Sequence, residues 1–435
     1  MNPADALVEP GSGKETASVG KDRPWLFGLM IAPTGALANG VVQGGALAYL
    51  LSMQGVGSGG QSHLLALLGI PTWLYFVWSP VTDFFVRRRT WLLIGGVSAG
   101  AMIAAAFHEQ HLTSRSSVAL LLLSACLVQL VVSSCGGIMA ELHSDRTRKR
   151  ASGFYQAGLV GFGSLSAWVL VYMSSRVSQG TLGWFAGVMI ALPALSVLTT
   201  PVQQTLGNGS FSQSLRNVGV EFKRTFWTRR AVPYFLYMLL PGCSGAAIGL
   251  LPGVAAQYRV SGDSVAWING LAGGLLLAAG ALSFAALPSL LRRMRVHASM
   301  MVVANVLYLI NCAALAVLWI GHLDAQTYFI GVMLYLFTVG AGNAAFTAVI
   351  LEFISDAGES GSTRYSLINS LGNVPVQYMI LADGWGAERF GVKGLTGTEC
   401  VIGAVGSVAF LAWLRFRSPG APAENPTAGN SLRSA

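Results

Sequence analysis

The sequence predicts an all-α integral membrane protein with twelve transmembrane helices in two pseudo-symmetric six-helix halves. Three observations lead there. Of 435 residues, 53% are hydrophobic and only 10% are charged, whereas a soluble domain carries about 25% charged residues. Twelve apolar runs are each long enough to cross a bilayer as a helix, which takes about 20 residues. Lys and Arg are concentrated in alternate loops, as expected for a chain that threads back and forth across a membrane.

The elements follow in order. Residues 1–24 form a polar N-terminal tail containing Lys14, Lys21 and Arg23. The first apolar run, 25–51, exceeds the core of a cleavable signal peptide (about 7–15 residues), so it is expected to remain as span 1. Spans 2 to 6 are expected at 63–84, 91–108, 117–140, 153–175 and 181–200, completing an N-terminal half over 25–200. In the loop 201–231, Phe211, Leu215, Val218, Phe222 and Phe226 recur at three- and four-residue steps. That period predicts an amphipathic helix on the inner leaflet, linking the halves. Spans 7 to 12, at 232–256, 265–290, 298–320, 326–352, 366–386 and 397–416, make a C-terminal half over 232–416. The tail 417–435 is rich in Pro, Gly, Ala and Ser and reads as disordered. Membrane β-strands would be shorter and alternate in polarity, which these runs do not.

Orientation comes from the basic residues. With the N-terminus inside, 22 Lys and Arg fall in inner segments and five in outer ones: Arg115, Arg176, Arg259, Arg389 and Lys393. Both termini are therefore expected in the cytoplasm of a cell whose inner or plasma membrane holds the chain. The five cysteines lie in apolar runs without a CxxC pair, so neither a disulfide framework nor a metal centre is expected. The 53 glycines fit close helix packing in lipid.

The halves carry traces of a repeat. Pro33 and Pro241 are 208 residues apart, as are Pro80 and Pro288. "ELHSD" at 141–145 is matched by "EFISD" at 352–356, which pairs Glu141 with Glu352. Between spans 2 and 3 stands "SPVTDFFVRRRTWLL", with Asp83 four residues before Arg87 and next to the cluster Arg87, Arg88 and Arg89. A carboxylate at a membrane boundary is costly unless paired, so Asp83 and the arginines are candidate gating groups, with Glu141 and Glu352 beside them.

This loop resembles the small-x-x-x-Asp-x-x-x-Arg-Arg motif of the major facilitator superfamily. Ser79 and Val86 stand where that motif has glycine. The resemblance implies the twelve-span duplicated fold and a role for Asp83 and the arginines in gating the inner side. "RRRTWLL" and "STRYSLINSLGNVP" further resemble the branch that holds the muropeptide permease AmpG and the acetyl-coenzyme A transporters. The acidic signature common in that branch's fourth span is absent, and "SSCGGIMAE" stands there instead.

Polar residues within spans are the candidate substrate-binding set. Span 1 offers Asn39 and Gln43, span 4 Gln129, span 8 Asn269, and span 10 Asn343 and Thr347. Span 11 carries the clearest stripe, Tyr365, Asn369, Asn373 and Gln377, with Pro375 expected to kink it. Any one of them alone commonly makes only an interhelical hydrogen bond, worth about 0.6 kcal/mol. No carboxylate is expected at the centre of a span; Asp383 and Glu399 are read as lying near outer ends. No GxxxxGK[ST] motif occurs, and the six histidines form neither HxxxD nor HExxH. The reading is thus a non-enzyme without cofactor or metal: a secondary active transporter, or permease, of a small polar solute. It is expected to act as a monomer without nucleic acid, with proton-coupled import of a muropeptide-like compound as its sharpest form. Metabolite or drug export is the alternative of the same class, and a non-transporting sensor or assembly protein the alternative of another.

Overall fold

The computed structural model describes residues 23–417 except 76–77, 79–80, 83–85, 141–144, 201–215, 217–218, 221, 224–225, 229–230, 294–298, 355–367 and 369. Both tails, most of the expected linker helix, Asp83, Glu141, Tyr365 and Asn369 lie outside the described residues.

The described residues are helical and contain no strand. The first apolar run forms α1 (Leu26–Thr34), a π-helical stretch (Gly35–Val42) and α2 (Ala46–Met53). Then come α3 (Ser58–Trp73), α4 (Arg88–His108), α5 (Arg115–Ala140), α6 (Asp145–Met173) and α7 (Gln179–Ala194). Beyond the linker lie α8 (Val232–Met238) and α9 (Ala246–Val254), followed by the short α10 (Gly262–Val265). A second π-helical stretch (Ala266–Leu271) leads into α11 (Ala272–Arg293). The chain ends with α12 (Met300–Ile320), α13 (Ala325–Ile354), α14 (Val374–Phe390) and α15 (Val392–Arg417).

Among these, eight helical stretches are long and apolar enough to cross a membrane, or nine if α1 and α2, bent by 42°, count as one. The chain is a multi-pass membrane protein. The eight correspond to expected spans 3 to 6, 8 to 10 and 12. Spans 1 and 7 differ from expectation because each is broken, span 1 over 43–45 and span 7 over 239–245, where Pro241 has no N–H to continue a helix and Cys243 (φ 52°) is left-handed. Gly45 (φ 79°) and Gly245 (φ 74°) adopt the left-handed conformation that L-residues avoid, and each starts a new helix. In span 11, residues 370–372 are helical, Asn373 interrupts the helix for one residue, and Pro375 sits in the first turn of α14, so the helix is broken next to Pro375 as expected.

Backbone contact between helices explains many of the glycines. Gly28 of α1 lies against Gly158 of α6, Gly100 of α4 against Gly187 of α7, and Gly340 of α13 against Leu277 of α11. A Cβ at any of these would collide with backbone. Small residues of this kind permit the close van der Waals approach that drives association in lipid. Serine hydroxyls add interhelical bonds, Ser124 Oγ to the Ala99 carbonyl at 3.0 Å and Ser166 Oγ to the Ala36 carbonyl at 2.9 Å. Three main contacts join helices before the linker to helices after it: α3 packs on α14, α6 on the π-helical stretch before α11, and α2 on α9.

Candidate functional site

The first contact frames a cleft. Its wall is built from the π-helical stretch (Leu37, Val42), Gln43, α3 (Leu65, Leu68, Thr72), α5 (Val128, Gln129) and α14 (Gln377, Ile380). The cleft is narrow: its enclosed space is about 10 Å³, on the order of what a single water molecule needs. The lining is mostly apolar, with amides placed on three sides.

Local sequence explains each amide. Gln43 ends the π-helical stretch, where an added residue per turn offsets side chains from α-helical register. Gln129 is buried on α5; its Nε2 reaches the Ala125 carbonyl and Thr72 Oγ1, both at 3.4 Å. Gln377 lies one turn into α14, and its side-chain amide rests against Gly69 of α3, where any Cβ would collide with it. Gln377 Oε1 is buried without a hydrogen-bond partner, although a buried acceptor normally has one.

The other expected residues are distributed differently. Asn39 is half-buried in the π-helical stretch, packed where Gly163 of α6 has no side chain. Asn373 is half-buried at the residue before α14, whose first turn its side chain does not cap. Asn343 and Thr347 are exposed on α13, with Thr347 Oγ1 donating to the Asn343 carbonyl at 3.0 Å; neither lines the cleft. Asn269 is buried and donates to Tyr328 Oη at 3.0 Å, an interhelical bond.

The arginine cluster divides three ways. Arg87 is exposed at the extended residue before α4. Arg88 reaches α5, where a Cβ on Gly137 would meet its Nε at 2.5 Å. Arg89 donates from Nη2 to the Leu198 carbonyl at 2.7 Å and from Nη1 to the Thr200 carbonyl at 3.4 Å. It thereby ties the start of α4 to the 3-10 turn Leu195–Thr199 that follows α7. Glu352 is exposed on α13.

A second constellation lies outside the expected set. Asp383 is fully buried ten residues into α14, and Glu399 is 2% exposed on α15. Both are expected near span ends, and Asp383 lies seven residues before the end of α14 and Glu399 seven after the start of α15; the structure adds that both are buried in the packed core. Glu399 accepts from Tyr335 Oη (2.7 Å) and Ser244 Oγ (2.9 Å) on Oε1, and from the Ala247 N–H (2.9 Å) on Oε2. The Asp383 carboxyl faces that of Glu399, and no N–H or O–H of the described residues donates to it. The available signal was small-residue context: Gly384 and Gly386 follow Asp383, and Gly386 meets Gly394 backbone to backbone where α14 and α15 cross.

At the end of the bundle beyond Asp383, contacts again join helices before the linker to helices after it. Arg176, following α6, pairs with Asp263 of α10 at 3.0 Å and stacks 3.7 Å above the Tyr172 ring. The hydrogen bond to Asp263 raises the pKa of the Arg176 guanidinium, so it stays charged at any accessible pH. Gly59 lies against the Glu388 carboxylate and Gly262 against the Tyr49 hydroxyl.

No family model and no curated protein matches the chain. Solved structures do resemble it. The nucleoside transporter NupG, in a point-mutant form, aligns with a TM-score of 0.66 at 12% identity, over 89% of this chain and 99% of that one. A POT family transporter in complex with 5-aminolevulinic acid gives 0.67 at 12% identity, over 90% and 95%. A D-xylose-proton symporter gives 0.62 at 14% identity, over 89% and 95%. The chain therefore has the fold of these membrane transporters along nearly its whole length; identity this low extends to the fold alone.

Proposed function

We propose that this protein is a secondary active transporter of the major facilitator superfamily. It moves a small polar organic solute through the cleft between its N-terminal and C-terminal helices. The observation that carries the reading is the convergence of Gln43, Gln129 and Gln377 from three separate helical elements on one cleft, with Gln377 Oε1 lacking a protein partner among the described residues. Amides aimed into an otherwise apolar cleft suit a cargo with hydroxyl or amide groups better than one of high charge, because neither a carboxylate nor a cation of the described residues lines the wall. The molecules named with the structural neighbours, a transported nucleoside, bound 5-aminolevulinic acid and D-xylose, are small polar solutes too.

In this reading the chain has twelve spans in two six-helix halves, 25–200 and 232–416, joined by an amphipathic linker, with both termini in the cytoplasm. The Arg176–Asp263 end then faces outward and is closed, and the arginine cluster sits at the inner side with Asp83. Substrate passes as the halves rock about the cleft. The two motif patches shared with the AmpG branch make an anhydro-muropeptide the first cargo to test. Uptake into proteoliposomes is measured for labelled anhydro-muropeptide, a nucleoside, a dipeptide and xylose, with and without an inward-acid pH gradient. Saturable uptake of one of them supports the reading, and the response to the gradient separates import from export. Failure of folded protein to move any of them counts against it.

A further inference from the structure

The cleft makes no use of the buried carboxyl pair, and that pair has its own chemistry. Two carboxylates in contact inside a low-dielectric core repel strongly, so a stable arrangement holds one positive charge between them. The donors tell which carboxyl is charged. Glu399 accepts three hydrogen bonds, from Tyr335, Ser244 and the Ala247 N–H, a set that satisfies a carboxylate. Asp383 receives none from the described residues, and two acceptors can bond only through a hydrogen that one of them carries. The other titratable groups facing the pair are Tyr335 from α13, Cys243 ahead of α9, Cys312 from α12 and Cys400 from α15. The packing of α3 brings only the Ser62 hydroxyl, against Gly384. None of these is a cation. The donors turned toward Glu399 place hydrogens where a metal ion would need lone pairs, which favours a proton over sodium.

We propose that Asp383 and Glu399 form a single-proton binding site, with the proton on Asp383 donated to Glu399. Its loading controls the helix break at Gly245. Two connections carry the second part. Glu399 holds Ser244 and Ala247, which flank Gly245, so the ionised pair would pull on the turn that starts α9. In its turn α9 rests on the N-terminal helices, with Pro252 against Gly45 and Gly253 against Gln61. Along α14, Asp383 lies six residues past Gln377, about 9 Å at 1.5 Å per residue, with the cleft-lining Ile380 between them. Loss of the proton to water leaves two adjacent carboxylates, and the repulsion is relieved by moving α14 relative to α15 and the Gly245 turn. The proton site stands on its own geometry; its coupling to solute rests on the transporter reading.

Infrared difference spectroscopy of the full chain in lipid nanodiscs tests the site without any cargo. The expected result is a protonated-carboxyl C=O band in wild type at neutral pH, absent from Asp383→Asn and shifted in frequency by Tyr335→Phe, which strips one donor from Glu399. Should Asp383→Asn fail to fold, the wild-type and Tyr335→Phe spectra carry the test. Absence of the band in wild type overturns the proposal. So does a band that ignores both substitutions, or one lost on sodium titration at constant pH, which would mark a metal-cation site. Uptake is read separately. Gradient-driven accumulation of the panel solute that wild type transports should fall to simple equilibration in Asp383→Asn; accumulation at the wild-type level overturns the coupling. A protein that shows the band yet moves none of the panel solutes would sink the transporter reading and leave the proton site standing.

Discussion

Arg176 and Asp263 pair at 3.0 Å across the interface between helices that precede the linker and helices that follow it. Both side chains are partly exposed, at 38% and 62%. Pairs this exposed are screened by water and add little to stability, but a small term can still bias two nearly balanced conformations. Asp263→Asn and Arg176→Gln should each raise maleimide labelling of a Tyr49→Cys reporter, which lies beside Gly262 at this end, by a few-fold. The double swap Arg176→Asp with Asp263→Arg should restore the original rate. Unchanged labelling in both single variants would remove the pair from any gating role.

Gln377 offers a cleaner test of the cleft. Its Oε1 is buried without a partner, so Gln377→Leu should leave thermal stability unchanged or slightly higher. The same change should raise KM for the transported solute by about 5- to 10-fold, from the loss of a hydrogen bond worth about 1 kcal/mol. A glutamine with a purely structural role would show the reverse, a lower melting temperature with KM intact.

The two left-handed glycines should respond unequally to alanine. A non-glycine residue in this conformation costs about 1–2 kcal/mol. Around Gly245 the nearest atom to an added Cβ is 3.5 Å away, so Gly245→Ala should show that cost alone. At Gly45 the Cβ would also press on the Pro252 ring, with Cδ at 2.7 Å. Gly45→Ala should therefore unfold at a lower temperature than Gly245→Ala in the same detergent. The opposite order would contradict the packing of α2 on α9.

Arg89 should behave as a structural tie. Its bonds to the Leu198 and Thr200 carbonyls satisfy helix-end acceptors. Arg89→Ala should cost about 1 kcal/mol of stability, seen as a lower melting temperature, with uptake per folded molecule retained. A loss of uptake at unchanged stability would instead restore Arg89 to the gate.

These cases show what the sequence conveys and what it does not. Apolar runs of about 20 residues are a one-dimensional signal, so spans 3 to 6, 8 to 10 and 12 were legible directly. The breaks of spans 1 and 7 were not, because Gly45 and Gly245 look like any of 53 glycines until their φ angles are known. Pro33 and Pro241 suggested a repeat of 208 residues. Pro241 lies inside the span 7 break at 239–245, whereas Pro33 lies within α1, ten residues before the span 1 break at 43–45, so proline marks one break and not the other. Gln43, Gln129 and Gln377 were legible as polar groups in apolar runs, but their convergence depends on how α3, α5 and α14 cross. Asp383 and Glu399 were visible, but their burial was not. Measured from the ends of apolar runs they look peripheral, and only tertiary packing buries them together.

The most direct test of the account locks the closed end. In a background lacking reactive native thiols, Arg176→Cys and Asp263→Cys are joined by a short bismaleimide, and uptake of the solute that wild type transports is measured in proteoliposomes. Alternating access through the cleft predicts that the cross-link abolishes uptake while the unlinked double variant still transports. Uptake at the unlinked rate in fully cross-linked protein would contradict it, because the solute would then be crossing without the Arg176–Asp263 end ever opening.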